Sequence, residues 1–111
     1  MKVVMAIEQE ELVRLEALAL EWVNRNFDIS PPLLEIPQGE PEQLNRCTIA
    51  KALNENCEGY WEVHCKAIDG YKDDQHVEGD ALASIPVPHE IQLFIRAFDD
   101  GYYPELIEQG E

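Results

Sequence analysis

The chain is short and strongly acidic: 23 of its 111 residues are acidic and 8 are basic, so its formal net charge is −15 at pH 7. Binding to nucleic-acid phosphates or to anionic membranes requires a surplus of lysine and arginine, so this composition excludes both as direct partners. The length suits one domain, and a hydrophobic fraction of 45% is typical of a folded core rather than of a disordered chain.

The N-terminal part of the chain predicts a helix followed by an extended segment. The helix is expected from about residue 5 to 26, because apolar residues at helical spacing share one face; they are Leu12, Leu15, Ala19, Trp22 and Val23. Residues 27–41 are expected to be extended, because prolines oppose both helix formation and central-strand pairing; they are Pro31, Pro32 and Pro37.

A second helix and a first strand are predicted in the middle of the chain. Pro41 suits the first turn of a helix, which is expected to run from about residue 42 to 54. Apolar and polar residues then alternate over about 60–68, as in a half-buried strand. A polar connection with many acidic residues, 69–80, follows this strand.

The C-terminal part predicts a strand, a helix and a tail. A second strand is expected at about 81–87, and Pro86 places it at a sheet edge or at the end of the strand. A helix is expected at about 88–100, because its apolar residues again share one face; they are Ile91, Phe94, Ile95 and Phe98. The tail, 101–111, has enough apolar residues to pack against the domain.

Together these elements predict a single compact α+β domain. Three helices are expected to pack on a small antiparallel sheet of two strands, with the proline-rich segment lying across the core.

Cysteine usage and hydropathy indicate a cytoplasmic protein. An odd number of cysteines, Cys47, Cys57 and Cys65, is not typical of a secreted disulfide scaffold. The first residues lack the apolar core of roughly 7–15 residues that a signal peptide needs. No window approaches the roughly 18 apolar residues of a membrane span. We therefore expect reduced thiols and no membrane association.

Most of the excess acid lies in the C-terminal half, where residues 61–111 carry 12 acidic and 3 basic side chains. Two acids at the end of the third helix oppose its dipole, at a cost of about 0.3–1 kcal/mol each, and such a cost can mark a function. Tyrosine is common in binding hot spots, and two tyrosines adjoin these acids. The predicted partner-binding residues are Asp69, Asp73, Asp74, Glu78, Asp80, Asp99, Asp100, Tyr102 and Tyr103.

Two simpler interpretations of the same residues stay open. An acidic surface keeps a small protein soluble and monomeric without binding anything. One of the two adjacent tyrosines can also pack in the core while the other is exposed.

The sequence predicts no metal site, no cofactor and no catalytic residue. An EF-hand loop needs glycine at its sixth position and glutamate at its twelfth. A loop that starts at Asp69 has neither residue, and a loop that starts at Asp74 has the glycine but not the glutamate. The spacing of Cys57, His64 and Cys65 does not match the paired ligands of a structural zinc site. A cysteine–histidine pair formed only in the folded chain stays open.

Two short motifs carry a resemblance to a known group of proteins. Residues 46–53 are similar to a C-x-I-A-x-A-L element, and residues 94–106 are similar to a closing F-I-x-x-F-D-x-G element that ends in P-x-L. Together they resemble small uncharacterised proteins of actinobacterial phages. The resemblance implies a phage or prophage setting in a bacterial cytoplasm, and it implies no catalytic residue.

The favoured hypothesis is a small, acidic, non-enzymatic protein that binds and modulates a host protein, as an inhibitor for example. One version is nucleic-acid mimicry, in which carboxylates imitate phosphates and occupy a basic surface of the partner. One alternative is a small metal-dependent or Cys/His enzyme that uses the 69–80 connection with His64 or Cys65. Another is a virion or assembly component that oligomerises through apolar surface. The oligomeric state stays open.

Overall fold

A computed structural model describes residues 8–73 and 81–108 of the chain. Three helices and three strands form a compact globule, so the predicted α+β class is confirmed. The predicted two-stranded sheet is wrong, because the sheet has three antiparallel strands in the order β1-β2-β3. The elements are α1 (Gln9–Asn26), α2 (Thr48–Asn56), β1 (Tyr60–Val63), β2 (Ala67–Tyr71), β3 (Ala83–Pro86) and α3 (His89–Asp99), followed by a short 3-10 helix (Pro104–Leu106).

The helices α1 and α3 form the centre of the core. They pack against each other through the apolar faces that the periodicity predicts. The buried side chains of α1 are Leu12, Leu15, Ala19 and Val23, and those of α3 are Ile91, Phe94, Ile95, Ala97 and Phe98. None of the helices in the described ranges combines the length and the apolar composition needed to cross a membrane.

The helix α2 is shorter at its N-terminal end than predicted. It begins at Thr48 rather than near residue 42, and Cys47 is its N-cap. The preceding residues form turns, in which Glu42 adopts a left-handed conformation with φ of 63°. A non-glycine residue in that conformation cannot belong to a right-handed helix, so Pro41 opens a turn here and not a helix.

The predicted strand over 60–68 is in fact a hairpin. The backbone N–H of His64 donates to the carbonyl of Ala67 at 2.8 Å, and β1 and β2 pair antiparallel on either side of this turn. The two residues between His64 and Ala67 are Cys65 and Lys66, and neither is the glycine or asparagine that usually marks a tight hairpin. The alternation therefore continues across the turn without a break in the sequence. The same change places Asp69 in β2, within the sheet, rather than in a connection.

The chain after α3 lies against the proline-rich segment. Gly39 and Ile107 form an isolated parallel bridge, in which the N–H of Gly39 donates to Leu106 at 2.9 Å and its carbonyl accepts from Glu108 at 2.8 Å. These backbone contacts join residues that are almost seventy positions apart, and they bring both segments to the start of α2.

Candidate partner-binding cleft

The predicted partner-binding residues do not form one surface in the described part of the chain. Asp74, Glu78 and Asp80 lie outside the described residues. Asp99 and Asp100 line one cleft, whereas Asp73 lines a separate polar depression beside Tyr60 and Lys72. Asp69 lies on the sheet, in register with Glu62. The acids at the end of α3 are therefore the ones that the fold brings into a concave site.

This concave site, which we call the acidic cleft, has a volume of about 620 Å³. It lies between the turns that precede α2, the β1–β2 hairpin and the C-terminal half of α3. The N–H of Val63 donates to the carbonyl of Leu44 at 2.7 Å and holds the first two of these together. The lining residues are Glu42, Gln43, Leu44, Cys47, Val63, Cys65, Ile95, Arg96, Asp99 and Asp100.

The charges in the acidic cleft are unbalanced. Three carboxylates, those of Glu42, Asp99 and Asp100, line it together with one cation, Arg96. The remaining wall is largely apolar and includes Leu44, whose side chain is 46% exposed. A cleft of this kind suits a ligand group that is positively charged at its tip and apolar along its stem, as lysine and arginine side chains are.

Asp99 has a structural role that the sequence does not reveal. Its Oδ1 accepts a hydrogen bond of 2.8 Å from the backbone N–H of Glu42, 57 positions away in the chain. This bond holds the turn in which Glu42 is left-handed. The unfavourable position of an acid at the end of α3 is thus offset by a tertiary contact and not by a local one.

Burial and neighbouring charge raise the pKa of Asp99 above its ordinary value. Desolvation is the main cause, and the negative charges of Glu42 and Asp100 add to it, while the hydrogen bond from Glu42 opposes the shift. The ionised form of Asp99 is therefore less stable in the folded chain than in the unfolded chain. A cation placed in the acidic cleft would relieve this cost.

The Asp99→Asn variant is expected to gain stability relative to the native chain as the pH rises from about 4 to 7. The folded-state pKa of Asp99 is raised, so the folded state binds more protons in this window, and the native chain loses stability as the pH rises through it. Asparagine keeps the Oδ1 acceptor for Glu42 and cannot ionise. Urea unfolding of both chains at several pH values measures the difference between their free energies of unfolding. A difference that does not change with pH would contradict a raised pKa of Asp99 in the folded chain.

The two cysteines of the acidic cleft have different surroundings. Cys47 is buried, and desolvation raises the pKa of its thiol to about 11, so it is protonated at neutral pH and is a poor nucleophile. Cys65 is exposed in the hairpin turn. Within the described ranges, no three His, Cys, Asp or Glu side chains are arranged to hold a metal ion.

Tyr103 is not available to a partner. It is 2% exposed, and its hydroxyl donates to the carbonyl of Leu12 in α1 at 2.6 Å. Tyr102 is half-buried and lines a second depression on the other side of α3. The simpler expectation for this pair is therefore the one observed, because one tyrosine packs in the core and the other remains partly accessible.

His64 makes a contact that the alternation of the sequence does not predict. Its Nε2 lies 3.5 Å from Oε1 of Glu62 and 3.6 Å from Oδ2 of Asp69. This nitrogen is buried and has no hydrogen-bond partner in the described part of the chain. Of the residues named in the enzyme hypothesis, His64 lies beside Asp69, whereas Cys65 lines the acidic cleft.

Asp99 and Asp100 are among the predicted partner-binding residues, whereas the residues on the other side of the acidic cleft are not. The predicted helix over 42–54 contains Glu42 and Leu44, and the predicted strand over 60–68 contains Cys65. No local pattern marks them, because they meet α3 only through tertiary packing.

Comparison of the chain with protein-family models, with curated proteins and with solved structures found no match.

Proposed function

We propose that this chain is a non-enzymatic protein-binding module whose acidic cleft takes a basic side chain from a partner protein. The observation that carries the proposal is the convergence of Glu42, Asp99 and Asp100 on one cleft with an apolar wall. The resemblance to actinobacterial phage proteins supports a setting in which the partner is a host protein in the bacterial cytoplasm and binding modulates it.

The shape of the site favours a basic side chain over nucleic-acid mimicry. A protein that imitates nucleic acid needs carboxylates in rows on an open face, so that they match the spacing of phosphates. Here the carboxylate of Asp99 accepts a hydrogen bond from the backbone N–H of Glu42, and both residues line a concave wall. Such a site selects one inserted group, and its negative field also speeds the encounter with a basic partner.

The test uses a random-peptide display library selected on the immobilised full chain. We expect the enriched peptides to contain lysine or arginine. The affinity of one such peptide is then measured for two variants that each remove two negative charges. The Glu42→Gln/Asp100→Asn variant is expected to bind about tenfold more weakly at physiological ionic strength. The Glu55→Gln/Glu58→Gln variant alters exposed acids outside the cleft and is expected to bind within about twofold of the native chain.

A third variant tests the sign of the effect. Among the described residues Arg96 is the one cation that lines the acidic cleft, so the Arg96→Gln variant is expected to bind the same peptide about threefold more tightly. Equal weakening by both double variants would show that only the net charge matters and would overturn the proposal. Selection of peptides without basic residues would overturn it as well.

A further inference from the structure

A second depression adjoins the acidic cleft and differs from it in chemistry. This apolar groove lies between α1 and α3, has a volume of about 350 Å³ and is lined by Glu11, Leu15, Leu93, Arg96, Ala97, Asp100 and Tyr102. Arg96 and Asp100 line both depressions. Arg96 lies in the last turn of α3 and Asp100 is the C-cap four residues later, so the two side chains form a single ridge between the cleft and the groove.

The apolar groove suits an apolar side chain rather than a second basic one. Its walls are mainly the side chains of Leu15, Leu93 and Ala97, with the ring of Tyr102 at one end. The acid on its α1 side, Glu11, accepts hydrogen bonds of 2.8 and 2.6 Å from Nε and Nη2 of Arg14. The Nη1 of the same guanidinium donates to Glu90, so Glu11 and Glu90 share one cation within the protein, whereas Asp100 lies on the ridge itself.

We propose that one partner segment crosses this ridge, with a basic side chain in the acidic cleft and a large apolar side chain in the apolar groove. The inference rests on the proposed function and names the motif that the partner presents. Side chains two positions apart on an extended segment lie on the same side and about 7 Å apart, which is a suitable separation for crossing a ridge one side chain wide. The recognised motif is thus a lysine or arginine with leucine, methionine or an aromatic residue about two positions away.

The experiment is a double-mutant cycle with a selected peptide that contains such a pair. The peptide is compared with its apolar-to-alanine variant, and the native chain is compared with the Leu93→Gln variant, whose fold is checked by circular dichroism and thermal unfolding. Leu93 is half-buried, and glutamine is of similar size but replaces its apolar end with a polar amide. We expect each single change to weaken binding about tenfold, and the two together to weaken it no more than either alone.

The outcomes separate this inference from the proposed function. Strictly multiplicative effects of the two changes, or selected peptides with basic residues and no apolar neighbour, would overturn the bridging motif and leave the basic-side-chain site standing. Loss of affinity in Leu93→Gln but not in Glu42→Gln/Asp100→Asn would instead overturn the proposed function. Two results together support both the bridging motif and the proposed function. The first is non-additive loss of affinity in the double-mutant cycle, and the second is weaker binding by the Glu42→Gln/Asp100→Asn variant.

Discussion

Truncation of Tyr103 to alanine is expected to lower the free energy of unfolding by about 4 kcal/mol. The side chain is 2% exposed, and its ring lies 5.0 Å from that of Phe94 between centroids, so truncation leaves a cavity at the centre of the α1–α3 packing. The hydroxyl also donates to the carbonyl of Leu12 at 2.6 Å, and this buried hydrogen bond is lost at the same time. Urea unfolding followed by tryptophan fluorescence measures the change.

The Tyr103→Phe variant separates the two contributions. It keeps the ring and removes only the hydroxyl, so we expect a loss of about 1–2 kcal/mol from the broken hydrogen bond to Leu12. A loss in Tyr103→Ala no larger than that in Tyr103→Phe would contradict the packing argument. Since Tyr103 acts through the core, any effect of its substitution on partner binding should follow the fraction of folded protein and not a direct contact.

Replacement of Gly39 by alanine is expected to cost about 3 kcal/mol, because no room exists for a side chain at this position. A Cβ atom on Gly39 would lie 2.5 Å from the carbonyl carbon of Cys47 and from the nitrogen of Thr48, and 2.7 Å from the carbonyl oxygen of Arg46. All three atoms belong to the backbone that starts α2, so they cannot move aside without shifting the helix. Urea unfolding measures this loss too.

Gly101 provides the matched control for the Gly39 substitution. It has a φ of 86°, and apart from its two chain neighbours no described residue has an atom within 4 Å of the place where a Cβ would lie. The Gly101→Ala variant is therefore strained only by its backbone conformation, and we expect a loss of about 1 kcal/mol. A smaller loss for Gly39→Ala than for Gly101→Ala would show that the start of α2 can move away from the proline-rich segment.

The helices were predictable because their determinants are local. In α1 and α3 the spacing of apolar residues defines a buried face, and the buried residues match it except that Trp22 is only half-buried and Ala97 is buried as well. In α2 the apolar pattern is equally clear, but the start of the helix is not. The left-handed turn at Glu42 depends on a hydrogen bond to Asp99, and no sequence window contains both residues.

The strands of the sheet were less predictable, because their pairing is not determined locally. The alternation over 60–68 correctly predicts extended backbone, but the register of a hairpin depends on which residues pair. Pairing Val63 with Ile68 requires a turn at Cys65 and Lys66, and neither residue signals one. The sheet has three strands because the predicted strand over 60–68 divides into β1 and the start of β2, and β3 then pairs with β2.

The sequence by itself determined the charge of −15 on the chain, the apolar helix faces and the position of two acids at the end of α3. The charge follows from the composition, and the helix faces follow from a short-range periodicity that a short stretch of the sequence already displays. Only the tertiary structure decided which acids share a cleft and which tyrosine is buried. Both depend on side chains that meet across long sequence separations, as Asp99 meets Glu42 and Tyr103 meets Leu12. Such contacts form when several elements bury their apolar faces together, and no local pattern records them.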